Sequence, residues 1–75
     1  MASHIKDIEL LRLIATKLKQ LREEKELTQE DVYNDTGIHI SRIETSRGNI
    51  TVSTLSALCT YFCIELSDFF RDISK

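Results

Sequence analysis

Polar side chains that can bind an anion or form hydrogen bonds concentrate between residues 28 and 49, among apolar neighbours. Arg42 carries a planar guanidinium, which can hold a phosphate or a pair of acceptor atoms through two parallel hydrogen bonds. Its alternative role is a surface salt bridge, which contributes little to stability. His39 fits a ligand contact and a half-buried structural histidine equally well. The candidate binding residues of the segment are Thr28, Gln29, Thr36, His39, Ser41, Arg42, Thr45, Arg47 and Asn49.

Catalytic and metal chemistry have weak support in this sequence. The only histidines are His4 and His39, and no hydroxyl or thiol nucleophile has a histidine and a carboxylate at suggestive local spacing. Cys59 and Cys63 are four residues apart on one predicted helix, a poor geometry for a disulfide, and two ligands fall short of the usual four of a structural zinc site. We therefore expect core or interface thiols, and no enzyme activity, metal, cofactor or small-molecule ligand.

Composition and charge describe an ordinary globular chain. The 75 residues are 41% hydrophobic and 29% charged, with no proline and two glycines. The net charge is −2, so a basic surface that binds nucleic acid would have to be local. The only charged residues between Thr36 and Ile64 are Arg42, Glu44 and Arg47. No apolar run approaches the roughly 20 residues that span a bilayer, so we expect no membrane partner and a cytoplasmic location.

Apolar residues recur mostly three or four positions apart, which predicts an all-α fold of five helices. Candidate N-caps start four of them, since a Ser or Thr hydroxyl can accept a hydrogen bond from a free backbone N–H one turn later. The predicted helices run from Ser3 or His4 to Lys25, from Gln29 to Asn34 or Asp35 after Thr28, from Gly37 to Ser46 after Thr36, from Thr51 to Phe62, and from Ser67 through Ile73.

Each predicted helix has an apolar side. The first has a main stripe of Leu11, Ile14, Leu18 and Leu21, and its additional apolar residues fit either the chain's own core or a second subunit. The inward residues of the others are Val32 and Tyr33 in the second, Ile40 and Ile43 in the third, and Leu55, Leu58, Cys59 and Phe62 in the fourth.

Two short helices joined by a tight turn and flanked by other helices are typical of a helix-turn-helix. In such a pair, the second helix fits the major groove of DNA and the first crosses the phosphate backbone. The segments "LKQLREEKELTQED", "SRIETSRGNITVSTLSALCTYF" and "IELSDFF" resemble the lambda-repressor/Cro-like, or XRE, family over about residues 14 to 70. The resemblance implies a five-helix bundle that binds DNA as a dimer and controls transcription. We expect residues 1–75 to form one such domain, with residues 3–13 as a helical extension.

The resemblance also assigns roles to individual residues. At the start of the second helix, Thr28 and Gln29 are implied to hold phosphate, although Thr28 can be a cap alone and Gln29 a solvated residue. Arg47 and Asn49 lie in the loop after the third helix, which in the family often contacts the phosphate backbone of DNA again. The alternative is an ordinary soluble turn, in which an arginine beside a glycine is common. Arg22 and Glu44 match positions that form an internal ion pair. Glu26 and Cys63 replace glycines that commonly end helices, and the left-handed conformation common at the position of Cys63 strains a non-glycine residue by about 1 kcal/mol or more.

The spacing of the motif is shorter than the family pattern. Gln29 and Glu44 are 15 residues apart, about three fewer than usual, or roughly one helical turn. If Gly37 keeps its place, the third helix loses its first turn and Ile38 fills a buried slot of the turn. If Thr36 is the cap, the second helix and the turn are shorter instead, and Ile38 faces DNA. The apolar pattern favours the first arrangement and the capping chemistry favours the second.

We predict a sequence-specific regulator that binds double-stranded DNA, a repressor acting as a homodimer on a palindromic operator. Phe69, Phe70 and Ile73 on the last helix are more apolar surface than one turn can easily bury, so we expect them at the dimer contact. The alternative is a dimerising interaction module, or an antitoxin-like subunit, whose DNA binding is weak or lost. The short motif and the acidic net charge favour this alternative.

Overall fold

The computed structural model describes residues 7–45 and 49–74, and these residues form five helices with no strand among them. The helices are α1 (Ile8–Glu24), α2 (Gln29–Thr36), α3 (Ile40–Glu44), α4 (Val52–Tyr61) and α5 (Leu66–Ile73). The predicted all-α fold of five helices is therefore confirmed. Among the described residues, no helix is long and apolar enough to cross a membrane.

Capping side chains explain where α1 and α4 begin. The Asp7 side chain accepts a hydrogen bond from the Leu10 N–H at 2.9 Å, and Thr51 accepts one from the Thr54 N–H at 3.0 Å. The predicted cap at Thr51 is correct. The described α1 begins at Ile8, because Asp7 has extended backbone and its side chain satisfies a free amide of the first turn; Ser3 and His4, the predicted start, lie outside the described residues.

The last helix also begins earlier than predicted. Glu65, not Ser67, holds the N-cap position of α5, and no side chain caps this helix. The Phe69 N–H already bonds the Glu65 carbonyl at 2.9 Å, so Ser67 lies within the first helical turn. The N-cap is set here by backbone geometry rather than by the hydroxyl that the sequence offered.

One apolar core joins all five helices. Leu18, Val32, Ile40, Leu58 and Phe69 have no exposed surface. The core comprises Ile14, Ala15, Leu18 and Leu21 of α1, Val32 of α2, Ile40 of α3, Leu55, Leu58 and Cys59 of α4, Phe62 after it, and Phe69 of α5. The four inward residues predicted for α4 and its C-cap are all buried, and burial raises the pKa of the Cys59 thiol.

Two helices end in non-glycine residues with left-handed backbone. Glu26, after α1, has φ 56°, and Cys63, after α4, has φ 61°. At the second site the Ile64 N–H bonds the Cys59 carbonyl at 2.9 Å, and the Cys63 N–H bonds the Thr60 carbonyl at 3.1 Å. This pair of hydrogen bonds satisfies carbonyls in the last turn of the helix and requires a left-handed residue after it. It explains the strained conformation predicted at Cys63.

The helices pack in a definite order around α1. This helix contacts α3 and α5, while α2 contacts α3 and α4 contacts α5. Lys17 of α1 forms a salt bridge with Asp72 of α5 at 3.1 Å. Tyr61 at the end of α4 donates a hydrogen bond to Asp35 of α2 at 2.5 Å, which connects α4 to the α2–α3 pair.

Candidate nucleic-acid interface

The start of α2 is a reciprocal cap. The Thr28 hydroxyl accepts from the Asp31 N–H at 3.0 Å, and the Thr28 N–H donates to the Asp31 carboxylate at 2.9 Å. The hydrogen bond that the Thr28 backbone N–H donates to the Asp31 carboxylate, and after it one from the Thr28 side chain, lower the pKa of Asp31. Gln29 follows on the exposed first turn.

The connection between α2 and α3 decides which of the two possible arrangements the motif adopts. Gly37 follows α2 in a left-handed conformation, with φ 76°, and its N–H bonds the Tyr33 carbonyl at 2.8 Å. Ile38 is half-buried and packs against the core. Gly37 therefore keeps its place, and α3 is reduced to Ile40–Glu44. The apolar pattern predicted this arrangement and the capping chemistry did not.

Thr36 consequently has a different role from the predicted cap of the third helix. It is the last residue of α2, and its hydroxyl donates to the Val32 carbonyl at 2.7 Å and accepts from the Ile38 N–H at 3.0 Å. Both bonds lie inside the turn, so the hydroxyl is already engaged and the residue is half-buried. The predicted start of α3 at Gly37 is wrong for the same reason.

A charged network fixes α3 against α1 and α2. The Arg22 guanidinium donates to both carboxylate oxygens of Glu44, at 2.7 and 3.1 Å, and to the Leu27 carbonyl at 2.8 Å. The Arg22 and Glu44 side chains are only 11% and 4% exposed. The hydrogen bond that Arg22 donates to Glu44 is the main cause that raises the pKa of Arg22. The ion pair implied by the family resemblance is thus present as a bidentate, largely buried contact.

Gln29 belongs to the same network. Its side-chain amide donates to Glu44 Oε1 at 2.8 Å, so one carboxylate joins residues from α1, α2 and α3. An amide nitrogen has two hydrogens, and this bond uses one of them. The residue remains exposed. Its orientation is therefore fixed by the protein while one N–H and the amide oxygen stay available to a ligand.

The outer side of α3 carries the remaining polar candidates of the helix. His39, Arg42 and Thr45 are exposed and Ser41 is half-buried, whereas Ile40 is fully buried. The Thr45 hydroxyl donates to the Arg42 carbonyl at 2.8 Å and closes the end of the helix. The Arg42 side chain has no ion-pair or hydrogen-bond partner within residues 7–45 and 49–74. Its guanidinium can therefore bind phosphate or base acceptors without breaking an internal contact.

The loop after α3 is described only in part. Asn49 is exposed, directly before the start of the α4 region. Arg47, together with Ser46 and Gly48, lies outside the described residues. The predicted contact of this loop with the phosphate backbone of DNA stays a prediction.

One aromatic side chain differs from the sequence-based expectation. Tyr33, predicted to face inward from α2, is 44% exposed. Its ring stacks on His39, with centroids 4.4 Å apart and planes at 28°. The sequence places Tyr33 next to buried Val32, at the border of the apolar side, and periodicity alone does not decide such border positions. A contact between the end of one helix and the residue before the next has no sequence signal.

The predicted dimer contact needs one correction. Phe69 has no exposed surface and is part of the core of its own chain, so its side chain has no area to offer a second subunit. Phe70 and Ile73 are half-buried at the edge of that core. Phe70 lines a surface cleft with Leu10, Leu11 and Val52, residues of α1 and α4.

Comparison with known proteins identifies the class of this fold and site. A family model described as helix-turn-helix matches residues 18–69, which include α2, α3 and α4 together with the C-terminal part of α1 and the first half of α5. The chain therefore belongs to the lambda-repressor/Cro-like (XRE) helix-turn-helix family of DNA-binding transcription regulators. No curated protein and no solved structure matches the chain.

Proposed function

We propose that this protein is a cytoplasmic, non-enzymatic regulator that binds double-stranded DNA sequence-specifically through α2 and α3 and represses transcription as a homodimer. The observation that carries the proposal is the fixed α2–α3 pair. The buried Arg22–Glu44 contact sets the position of α3, and Arg42 on its outer side is exposed with no partner among the described residues.

The α2 contacts in this proposal are with the DNA backbone. Gln29 would donate its free N–H to a phosphate, and the Thr28 hydroxyl would do the same at the helix start. Because Glu44 already holds the Gln29 side chain in place, less conformational entropy is lost when phosphate binds. These contacts would set the register of the protein on the duplex and would not by themselves select a sequence.

The α3 contacts would supply the selectivity. Arg42 fits guanine O6 and N7 bidentately in the major groove, with Ser41, His39 and Thr45 beside it. Because the Arg42 side chain bonds no described residue, its contact with the duplex would break no hydrogen bond within the described part of the protein. The short α3 presents few such groups, so we expect two subunits to be needed for a usable affinity.

Homodimerisation in this proposal uses the edge between α1 and α5. Leu10, 38% exposed, lines the same cleft as half-buried Phe70 and extends its apolar area, and half-buried Ile73 lies on the same helix as Phe70. A two-fold dimer matches a palindromic site with half-sites about 34 Å apart. Sedimentation equilibrium should show a monomer–dimer equilibrium in the micromolar range, and Phe70→Asp should shift it to monomer. A wild-type protein that is only monomeric at high micromolar concentration contradicts this part.

The proposal is tested by selecting duplexes from a random library with the full chain and measuring their affinity by fluorescence anisotropy. We expect specific binding whose affinity decreases steeply with salt, because each neutralised phosphate adds to the slope. Arg42→Ala should weaken binding to the selected duplex at least about 10-fold, and Gln29→Ala should weaken binding less. Neither should change the melting temperature strongly.

Arg12→Ala is the matched control. It removes an exposed arginine in the first half of α1 whose side chain bonds Glu9 and no other described residue. Equal affinity losses for Arg12→Ala and Arg42→Ala would show a general charge effect and contradict the assignment.

A second function is favoured by the shortened α3 and the net charge of −2. The protein would then be an interaction module, and the α1–α5 edge would be its main surface. Absence of any complex with selected or random duplexes at 50 mM salt would support this function and reject DNA binding.

A further inference from the structure

The Tyr33–His39 pair is an ordered aromatic contact on the outside of the protein. Tyr33 lies in the last turn of α2 and His39 immediately before α3, and their rings stack with centroids 4.4 Å apart. Tyr33 is 44% exposed, and His39 is exposed as well. A tyrosine that served only to fill space would be covered more completely. The pair instead keeps two polar side chains in fixed positions at the surface.

Tyr33 lies on the same side of α2 as Gln29. The two residues are four positions apart, which places them one turn from each other on one helix face. Both contact the α3 region: Gln29 bonds Glu44 at its end, and Tyr33 stacks on His39 at its start. Gln29 and Tyr33 therefore lie at the two ends of the contact between α2 and the α3 region, and both are exposed.

The phenolic hydroxyl of Tyr33 has no hydrogen-bond partner within the described residues. By contrast, the hydroxyl of Tyr61, the other tyrosine of the chain, is bonded to Asp35. A free hydroxyl on an immobilised ring can donate to an external acceptor at small entropic cost, because stacking already restricts the ring.

The shortness of α3 makes an additional contact necessary for sequence selection. The five-residue helix offers only Ser41 and Arg42 on its outer side, and the hydroxyl of Thr45, the residue after it, is already bonded to the Arg42 carbonyl. Tyr33 and His39 extend the polar edge beyond the start of α3. They occupy the end of the pair where a longer third helix would have presented its first turn.

We propose that Tyr33 is a specificity-determining DNA contact: stacking on His39 holds its ring, and its hydroxyl donates to a base-edge acceptor in the groove entered by Arg42. This inference rests on the proposed function and adds a residue of α2 to base recognition. His39 acts mainly as the support of the ring, so the two residues form one contact.

The test compares Tyr33→Phe with the wild-type protein on the duplex selected by the wild type and on an unrelated duplex of equal length. Tyr33→Phe keeps the ring and its stacking but removes the hydroxyl. We expect about 5–10-fold weaker binding to the selected duplex, the effect of one hydrogen bond, and unchanged binding to the unrelated duplex. A new selection with Tyr33→Phe should lose its preference at one base position in each half-site.

Tyr61→Phe is the matched control, because it removes the other tyrosine hydroxyl, which bonds Asp35 instead of facing solvent. It should bind both duplexes as the wild type does at a temperature where both proteins are folded by circular dichroism.

Three outcomes overturn the inference. Wild-type affinity of Tyr33→Phe for the selected duplex would show that the hydroxyl makes no contact. Equal weakening on both duplexes would assign the hydroxyl to phosphate, not to a base. If the wild type selects no duplex, the proposed function itself fails, which is a different result from a failure of Tyr33 alone.

Discussion

The α2–α3 pair and the α4–α5 pair are fixed in the molecule by different interactions. The α4–α5 pair, including Phe62 after α4, contributes five core side chains, each no more than 2% exposed. The α2–α3 pair contributes only Val32 and Ile40. It is positioned instead by the Arg22–Glu44–Gln29 network, in which the side chains of Arg22 and Gln29 both donate hydrogen bonds to the Glu44 carboxylate.

The difference follows from what each pair has to do. Apolar burial supplies most of the free energy of folding but has little directional preference, so it tolerates small shifts of a helix. Bidentate hydrogen bonds fix both distance and angle. In the proposed function, a short helix that presents Arg42 to a groove needs this directional constraint more than it needs additional apolar area. The α4–α5 pair supplies stability, and the network supplies orientation.

The largest expected effect comes from the α4–α5 side. Leu58 has no exposed surface, and Leu58→Ala should lower the free energy of unfolding by about 3–5 kcal/mol through lost burial and the cavity left behind. Urea unfolding followed by circular dichroism measures this loss. The control is Val52→Ala on the same helix, 71% exposed, which should change stability by less than about 0.5 kcal/mol. Similar results for both variants would contradict the described core.

Breaking the network should have the next largest effect. Arg22→Ala leaves the largely buried Glu44 carboxylate without its partner, which should cost about 3 kcal/mol. The control is Arg12→Ala, since its pair with Glu9 is exposed, at 57% and 67% of the two side chains. That change should leave the melting temperature close to that of the wild type. Unlike Leu58→Ala, Arg22→Ala should also lower DNA affinity under conditions where the protein is still folded. Equal melting temperatures of the two arginine variants would show that the network does not stabilise the protein.

The sequence predicted local features of the fold well and the site only in outline. The caps at Thr28 and Thr51 were correct because a hydroxyl and a nearby N–H decide them. The apolar stripes predicted the buried residues of α4, and Ile14, Leu18 and Leu21 of α1, for a similar reason, since burial follows helical periodicity; Leu11, also predicted, is only half-buried.

The incorrect predictions concern features that depend on contacts between residues distant in the sequence. Thr36 can cap a helix, yet its hydroxyl bonds inside α2, because the burial of Ile38 and Ile40 fixes the chain around Gly37. An apolar side chain such as that of Phe69 suits both the core of its own chain and a dimer contact, so hydrophobicity alone did not distinguish the two. Tyr33 meets His39 only after the turn has formed. Which of the exposed side chains touch DNA stays a prediction.

The two pairs also differ in how they use left-handed residues. In the α2–α3 turn, Gly37 has φ 76°, and a Cβ added there would meet no atom within 4 Å. Gly37→Ala should therefore cost about 1 kcal/mol through backbone strain alone, partly offset by the lower entropy of the unfolded chain. Cys63→Gly, after α4, should act in the opposite direction, raising stability by up to about 1 kcal/mol. Urea midpoints compare both variants with the wild type, and a change of the same sign in both would contradict the strain argument.

The smallest expected effect concerns the link between the two pairs, the hydrogen bond from Tyr61 to Asp35. This bond, more than burial, raises the pKa of Tyr61 to about 12, above an ordinary value of about 10. A raised pKa in the folded state means that the protonated phenol stabilises the fold. This stabilisation is complete below about pH 10 and is lost as the pH rises towards 12.

Tyr61→Phe should accordingly lower the free energy of unfolding by about 0.5–1 kcal/mol at neutral pH, and the difference from wild type should shrink above pH 10. Urea midpoints at pH 7, 9 and 11 measure this trend, and ultraviolet absorbance of tyrosinate should lose its latest titrating component in the variant. Tyr33→Phe is the control, because no described residue accepts a bond from that hydroxyl. If the stability difference is the same at all three pH values, the loss comes from packing of the ring edge, and the two helical pairs are connected by apolar contact alone.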